Sequence, residues 1–311
     1  MPREIAVSAE LNSKKGGIHI KTRIITGLLG AALAITALVF IMSPIFGILV
    51  CLFAALAAYE ICHLVKIKSK PLIALSVIAA AAVPAIGEYD LLEKLRVPGF
   101  AAILLFLFVL SFLMLQRFDE ISFDNLVYAI IAGIAVPSAM TCLIGVRDLT
   151  KEIAGDGFVP NLAAYYLCFT LFCCWLADTF AYFVGVRLGK RKLSPRASPK
   201  KSVEGAIGSV ILTTAANVGL AVLFNAFFIG DLRINILASA LVGVPLILIS
   251  ILGDLTASSL KRYYGQKDFG KLFPGHGGVM DRFDSLLFVA PSIYFFMTIC
   301  NAWNIPLFTA V

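Results

Sequence analysis

Long apolar runs, broken at short intervals by charge, Pro or Gly, fill the sequence from about residue 24 to residue 308. Each is close to the ~20 residues that an α-helix needs to cross a ~30 Å hydrocarbon layer, and none shows the alternation of a lipid-facing β-strand. The windows predict nine spans, over 24–42, 45–65, 71–87, 97–116, 125–146, 162–186, 203–229, 234–260 and 285–308. The fold class is therefore all-α, a polytopic membrane protein with about nine transmembrane helices. Residues 1–23 are polar and lack a short apolar core ahead of a small-residue cleavage site, so no removable signal is expected and the first span should stay as an anchor.

Composition agrees with this pattern. The chain is 60% hydrophobic and 14% charged over 311 residues, with a mean hydropathy of +0.93, well outside soluble domains. The 26 Lys and Arg decide orientation. With nine spans, most fall on one face: the N-terminal group, Lys66 to Lys70, Arg117, the run from Arg187 to Lys201, and the run from Lys261 to Arg282. The positive-inside rule then puts the N-terminus and both long polar loops in the cytoplasm. Topology accounts for the net charge of +7, so no nucleic-acid partner is expected; anionic headgroups can add to the attraction. The seven Cys lie in or beside apolar runs without CxxC spacing and read as small core residues.

Three polar stretches stand where polarity is expensive. In LADTFAYFVGVRLGKRKLSPRASPKKSVEG, 176–205, Asp178 lies inside the sixth span, where an acid costs ~2.5–3.5 kcal/mol and should face a polar cavity. Most of the cations after it, Lys190 to Lys192 included, suit a plain cytoplasmic loop. Lys200 and Lys201, however, sit beside Ser202 and Glu204 at a predicted helix start, where free amides attract phosphate. In LGDLTASSLKRYYGQKDFG, 252–270, Asp254, Ser258 and Lys261 are spaced to share one helix face, with Arg262, Lys267 and Asp268 following. In KLFPGHGGVMDRFD, 271–284, Pro274, Gly275, Gly277 and Gly278 predict a turn whose amides form a nest for anionic oxygens. Asp281 and Asp284 follow across one turn. Carboxylates that close repel unless a cation sits by them, and hard oxygen donors suit Mg²⁺ better than zinc. The bland alternatives are an Asp254–Lys261 charge pair and a capped helix start in which Arg282 pairs an Asp. Together the parts are those needed to hold a nucleoside triphosphate with Mg²⁺ against a membrane.

The run SSLKRYYGQKDFGKLFPGHGGVMDRFD, 258–284, resembles the signature of the phosphatidate cytidylyltransferase (CDP-diacylglycerol synthase) family. Ser258, Leu260, Lys261, Arg262, Lys267, Asp268, Gly270, His276, Gly277, Gly278, Asp281, Arg282 and Asp284 match its pattern. SPKKSVEG, 198–205, is similar to a second block of the family, with Ser202 where Thr is usual, and Phe180 stands where the family more often has Gly. The resemblance covers the chain from about 160 onward. It implies the reaction CTP + phosphatidate → CDP-diacylglycerol + pyrophosphate. It implies that Asp254 and Asp281 hold Mg²⁺ with Asp284 as third ligand or neighbour. Lys261, Arg262, Asp281 and Asp284 would be catalytic. Lys200, Lys201, Lys267 and Arg282 would gather phosphate, Ser258 would contact substrate, and the His276-Gly277-Gly278 turn would close over the nucleotide, His276 as a positioner. No general base is implied, because a lipid phosphate is already largely ionised near neutral pH.

The resemblance further implies CTP or dCTP and phosphatidic acid as partners, a homodimer, and a monovalent co-ion such as K⁺. The expected organisation is a cytoplasmic segment 1–23, N-terminal transmembrane helices 24–160 and a C-terminal transmembrane catalytic region 161–311, in a bacterial inner membrane with the site on the cytoplasmic side. A related CTP-dependent lipid kinase or synthase would share these groups. An ion-coupled transporter, with Asp178 and Asp254 as carriers, should show repeats and midplane polarity; here the polar residues gather at one face.

Overall fold

The computed structural model describes residues 27–28, 30–154, 159–227, 232–273, 275, 277–303, 305 and 308–310. Helix α1 (Gly30–Val39) is followed by α2 (Pro44–Leu64), α3 (Lys70–Tyr89), the single turn α4 (Leu91–Lys94) and α5 (Gly99–Gln116). Next come α6 (Phe123–Ile130) and α7 (Val136–Ala154), joined by a π-turn over Ile131–Ala135, then α8 (Val159–Leu171) and α9 (Ala177–Leu188), joined by another over Phe172–Leu176. A hairpin of β1 (Lys192–Ser194) and β2 (Ser198–Ser202) leads into α10 (Val203–Phe227). Strand β3 (Leu232–Ile234), α11 (Ile236–Tyr263), the turn α12 (Met280–Phe283), α13 (Leu286–Ala302) and β4 (Phe308–Ala310) complete the chain.

Helix starts follow from local chemistry. Ser43 Oγ accepts from Ile45 N–H at 3.2 Å ahead of Pro44, and Asn235 Oδ1 accepts from Ala238 N–H at 3.0 Å to open α11. Among the described residues seven helical segments are long and apolar enough to cross a membrane, α6–α7 and α8–α9 each counting as one. The first and last predicted spans correspond to the shorter apolar helices α1 and α13. Where 285–308 predicts one span, α13 stops at Ala302 and β4 pairs antiparallel with β3. Conversely, α11 runs to Tyr263, one turn past its predicted end, and carries Lys261 and Arg262 with it.

Two buried cores hold the bundle. One gathers α2, α3 and the α6–α7 segment with Phe269, Val279 and Met280 from beside the C-terminal loop. The other gathers α7, α8, α10, α11 and α13. All seven Cys are free, four of them buried and three half-buried in the apolar interior.

Candidate active site

Three carboxylates reach the site from helices and one from just ahead of a helix. Asp178 sits directly after the π-turn of the α8–α9 segment, Asp254 in the lower half of α11, Asp281 in α12 and Asp284 just before α13. An extra residue in a π-turn shifts the face that follows it, and such turns recur at functional sites.

Lys201, at the end of β2, bridges two of these acids. Its Nζ is 2.9 Å from Asp178 Oδ1 and 2.5 Å from Asp254 Oδ2. Burial works against its charge, but the two carboxylates outweigh burial and hold its pKa above the usual lysine value. Lys261, in the last turn of α11, joins the other two: Nζ is 2.8 Å from Asp281 Oδ1 and 3.7 Å from Asp284 Oδ2, with the Phe269 ring 5.1 Å away. Burial first, then Asp254, push the Asp284 carboxyl up to about 7, against the opposing charge of Lys261. The four acids thus form one electrostatic unit with two ammonium groups inside it.

The loop closes differently from the expected anion nest. Gly275 and Gly277 take φ near 82°, open only to glycine at low cost, and Phe273 N–H donates to Gly277 O at 2.8 Å. The Gly278 amide does not face open space: it donates to Asp281 Oδ2 at 2.9 Å, as Phe269 N–H does at 2.8 Å. Asp281 therefore has both oxygens engaged. His276 and Pro274 lie outside the described residues. Ser258 is half-buried between Asp254 and Lys261 on α11, whereas Lys200, Arg262, Lys267, Arg187 and Arg282 are exposed. Arg262 Nη1 donates to Gln266 O at 3.2 Å. The structure thus gathers Lys201, Asp254, Lys261, Asp281 and Asp284 with Asp178, and leaves the remaining cations at the surface.

Two residues escape sequence reasoning. Trp175 Nε1 donates to Arg282 O at 2.9 Å, holding the helical turn α12 that carries Asp281 and leads to Asp284. Glu60, from α2, accepts from the amides of Val279 and Met280 at 3.0 and 2.8 Å. The available signal for Glu60 is its position, an acid in the apolar run CLFAALAAYEICHLV, 51–65.

A cavity of about 680 Å³ opens beside the acids, with apolar walls from α1, α2 and α8 and a polar end formed by Asp178, Asp281, Arg282 and Asp284. Among the described residues no three acidic, His or Cys side chains converge as a metal-ligand group. The donor chemistry nonetheless suits Mg²⁺: the oxygens are hard, and the carboxylates outnumber the ammonium groups.

Fold and site together define a polytopic membrane protein in which a large apolar cavity ends at a cluster of carboxylates and lysines. A model of the cytidylyltransferase family matches residues 21–300. The phosphatidate cytidylyltransferase of Bacillus subtilis (strain 168) is 34% identical over 291 residues, covering 91% of this chain and 99% of that protein. That of Staphylococcus haemolyticus (strain JCSC1435) is 34% identical over 230 residues, 69% of this chain and 84% of that one. That of Haemophilus influenzae (strain ATCC 51907 / DSM 11121 / KW20 / Rd) is 42% identical over 137 residues, 44% of this chain and 47% of that one. The chain belongs to the cytidylyltransferase family and is a nucleotidyltransferase.

Proposed function

We propose that this protein is a phosphatidate cytidylyltransferase, converting CTP and phosphatidate to CDP-diacylglycerol and pyrophosphate at the cytoplasmic face of a bacterial inner membrane. The observation that carries this reading is the meeting of a carboxylate–lysine cluster with the polar end of a large apolar cavity, in a chain of this family. A lipid with a phosphate headgroup needs both. Acyl chains would enter sideways between the spans and lie along the apolar walls, with the phosphate at the polar end beside Arg282. The exposed Lys200, Arg262 and Lys267 would gather the triphosphate at the mouth. The cytoplasmic assignment is supported by the bias of Lys and Arg toward the face bearing both loops.

In the reaction an oxygen of the phosphatidate phosphate attacks the α-phosphorus of CTP, the bond from that phosphorus to the bridging oxygen breaks, and pyrophosphate departs. The nucleophile is an anion, so no side chain has to remove a proton. What the chain supplies is position and charge: Lys201 and Lys261, already held by carboxylates, have ammonium groups that can turn to phosphate oxygens. Asp254 and Asp284, with Asp281 beside them, would hold Mg²⁺, and the ion would supply positive charge against the phosphate oxygens. A monovalent co-ion such as K⁺ is a further proposal for the same surplus of carboxylates, and a homodimer a further proposal for the assembly.

The test is conversion of radiolabelled CTP with phosphatidate by the detergent-purified protein, with Mg²⁺ and with EDTA, beside Asp284→Asn. Metal-dependent CDP-diacylglycerol that disappears in the variant is the expected result. A folded wild type that makes none of it with any common phosphatidate sinks the reading.

A further inference from the structure

We propose that Glu60 is the positioning residue of the catalytic loop: from α2 its carboxylate fixes the backbone from Gly278 to Asp281 and so aims the acids that follow. For its kinetic part the inference rests on the reaction proposed above.

Glu60 lies one turn from the end of α2 and is 6% exposed. Its Oε1 accepts from Val279 N–H at 3.0 Å and its Oε2 from Met280 N–H at 2.8 Å. A helix start leaves such amides unpaired, and α12 has no side-chain cap of its own. Glu60 therefore does from another helix what a local cap normally does. The glycines around it are explained by the same contact. Gly278 does not have positive φ, yet a Cβ there would fall on both oxygens of Glu60, and a Cβ at Gly270 would fall on Oε1. Residues 60, 270 and 278 are one lock, with the glycines leaving the room that the carboxylate occupies.

The lock reaches the chemistry through the next residues. The Gly278 amide donates to Asp281, whose other oxygen meets Lys261. Shifting Gly278 and Val279 therefore moves Asp281, Lys261 and the start of α13 together. A carboxylate is required rather than an amide, because both Glu60 oxygens face N–H donors; glutamine would turn an NH₂ group toward one of them. An acid this deep in apolar surroundings is costly unless fully hydrogen-bonded, and an apolar residue would fill the space without that cost.

The experiment compares wild type, Glu60→Gln, Glu60→Ala, Gly278→Ala and the double variant Glu60→Ala/Gly278→Ala, each as the full chain in one detergent, by kcat, KM and melting temperature. Glu60→Gln is expected to melt several degrees below wild type while remaining folded, and to lose about tenfold in kcat per folded molecule, with KM for CTP changed less than about twofold. Gly278→Ala should lose at least as much. The double variant should regain both kcat and melting temperature relative to Gly278→Ala, because the shortened side chain gives the new methyl its space. Wild-type kcat in Glu60→Gln, or a double variant no better than Gly278→Ala, overturns the inference. If the wild type itself forms no CDP-diacylglycerol, the enzyme reading fails separately. The melting temperatures then decide the lock: recovery in the double variant supports it and additive losses overturn it.

Discussion

Helix α2 ends in two ion clusters built on opposite plans. Near its start, the Arg147 guanidinium packs 5.7 Å over Phe46. Its Nε and Nη2 donate to Asp148 at 2.9 and 3.1 Å, and its Nη1 sits 3.0 Å from both oxygens of Glu88. Lys151 adds a 2.6 Å contact to Asp148, so two cations meet two acids. Fourteen residues along α2, roughly 21 Å at the helical rise, Glu60 touches the loop of the other cluster, where Lys201 and Lys261 stand among Asp178, Asp254, Asp281 and Asp284. The first cluster is neutral and uses the planar fork of Arg, which locks geometry. The second has surplus negative charge and uses Lys, a point charge on a flexible stem that can change partners. Balanced charge suits a scaffold, whereas surplus carboxylates suit the binding of a cation.

The strongest test of that contrast is to remove one surplus charge. Asp254→Asn keeps the shape but relieves repulsion on Asp284, for which Asp254 is the leading charge neighbour. Activity should fall about a thousandfold, some 4 kcal/mol in the barrier, while the melting temperature stays level or rises. A fall in melting temperature that tracks the loss of rate would mean that Asp254 belongs to the scaffold. Next in size is the converse change. Arg147→Ala leaves Glu88 buried without its cation and should cost about 3 kcal/mol of stability, with kcat per folded molecule within about twofold of wild type. Denaturant melts and rates normalised to folded protein check both halves. Smaller still is the paired replacement Glu88→Gln/Arg147→Met, which removes both charges at once. It should recover most of that loss, ending within about 1 kcal/mol of wild type; a double variant as unstable as Arg147→Ala would show that shape, not charge balance, holds this end together.

The same contrast explains what the sequence made legible. Apolar runs announce helices because lipid tolerates no unpaired backbone, and α2, α3, α5, α10 and α11 lie close to their predicted bounds. Hydropathy says nothing of the π-turns at Ile131–Ala135 and Phe172–Leu176, which leave the apolar run unbroken while changing the face it presents. The hairpin of β1 and β2 was equally hidden: SPKKS reads as the approach to a helix, and its pairing with Lys192–Ser194 depends on a register that no periodicity displays. In the site, Asp178, Asp254, Asp281 and Asp284 stand out because acids are expensive beside hydrocarbon. Their partners do not, since Lys201 meets Asp254 from 53 positions away along the chain and the obvious cations, Arg262 and Lys267, stay at the surface. Glu60 was as conspicuous as the four Asp by cost, but its partners are backbone amides, which every residue but Pro has and no motif advertises.

The smallest expected effect isolates burial from distance. Arg117 Nη1 lies 3.0 Å from Glu120 Oε2, the same separation as Arg147 Nη1 from Glu88 Oε2. The side chains of the first pair are 44% and 54% exposed, those of the second 4% and 8%. Where water and salt reach both partners, little desolvation has been spent and little is left stranded when one partner goes, so Arg117→Ala should change stability by less than about 0.5 kcal/mol. What remains should shrink further as salt rises, because exposed charges are screened within about 10 Å at 0.1 M. Melting curves of Arg117→Ala and Arg147→Ala at low and high salt make the comparison directly. If the two losses match, contact distance rather than burial sets the strength of ion pairs in this bundle, and the neutral cluster at the start of α2 loses its claim to a special structural role. If only the Arg147 loss is large and insensitive to salt, burial rather than contact distance makes that pair structural.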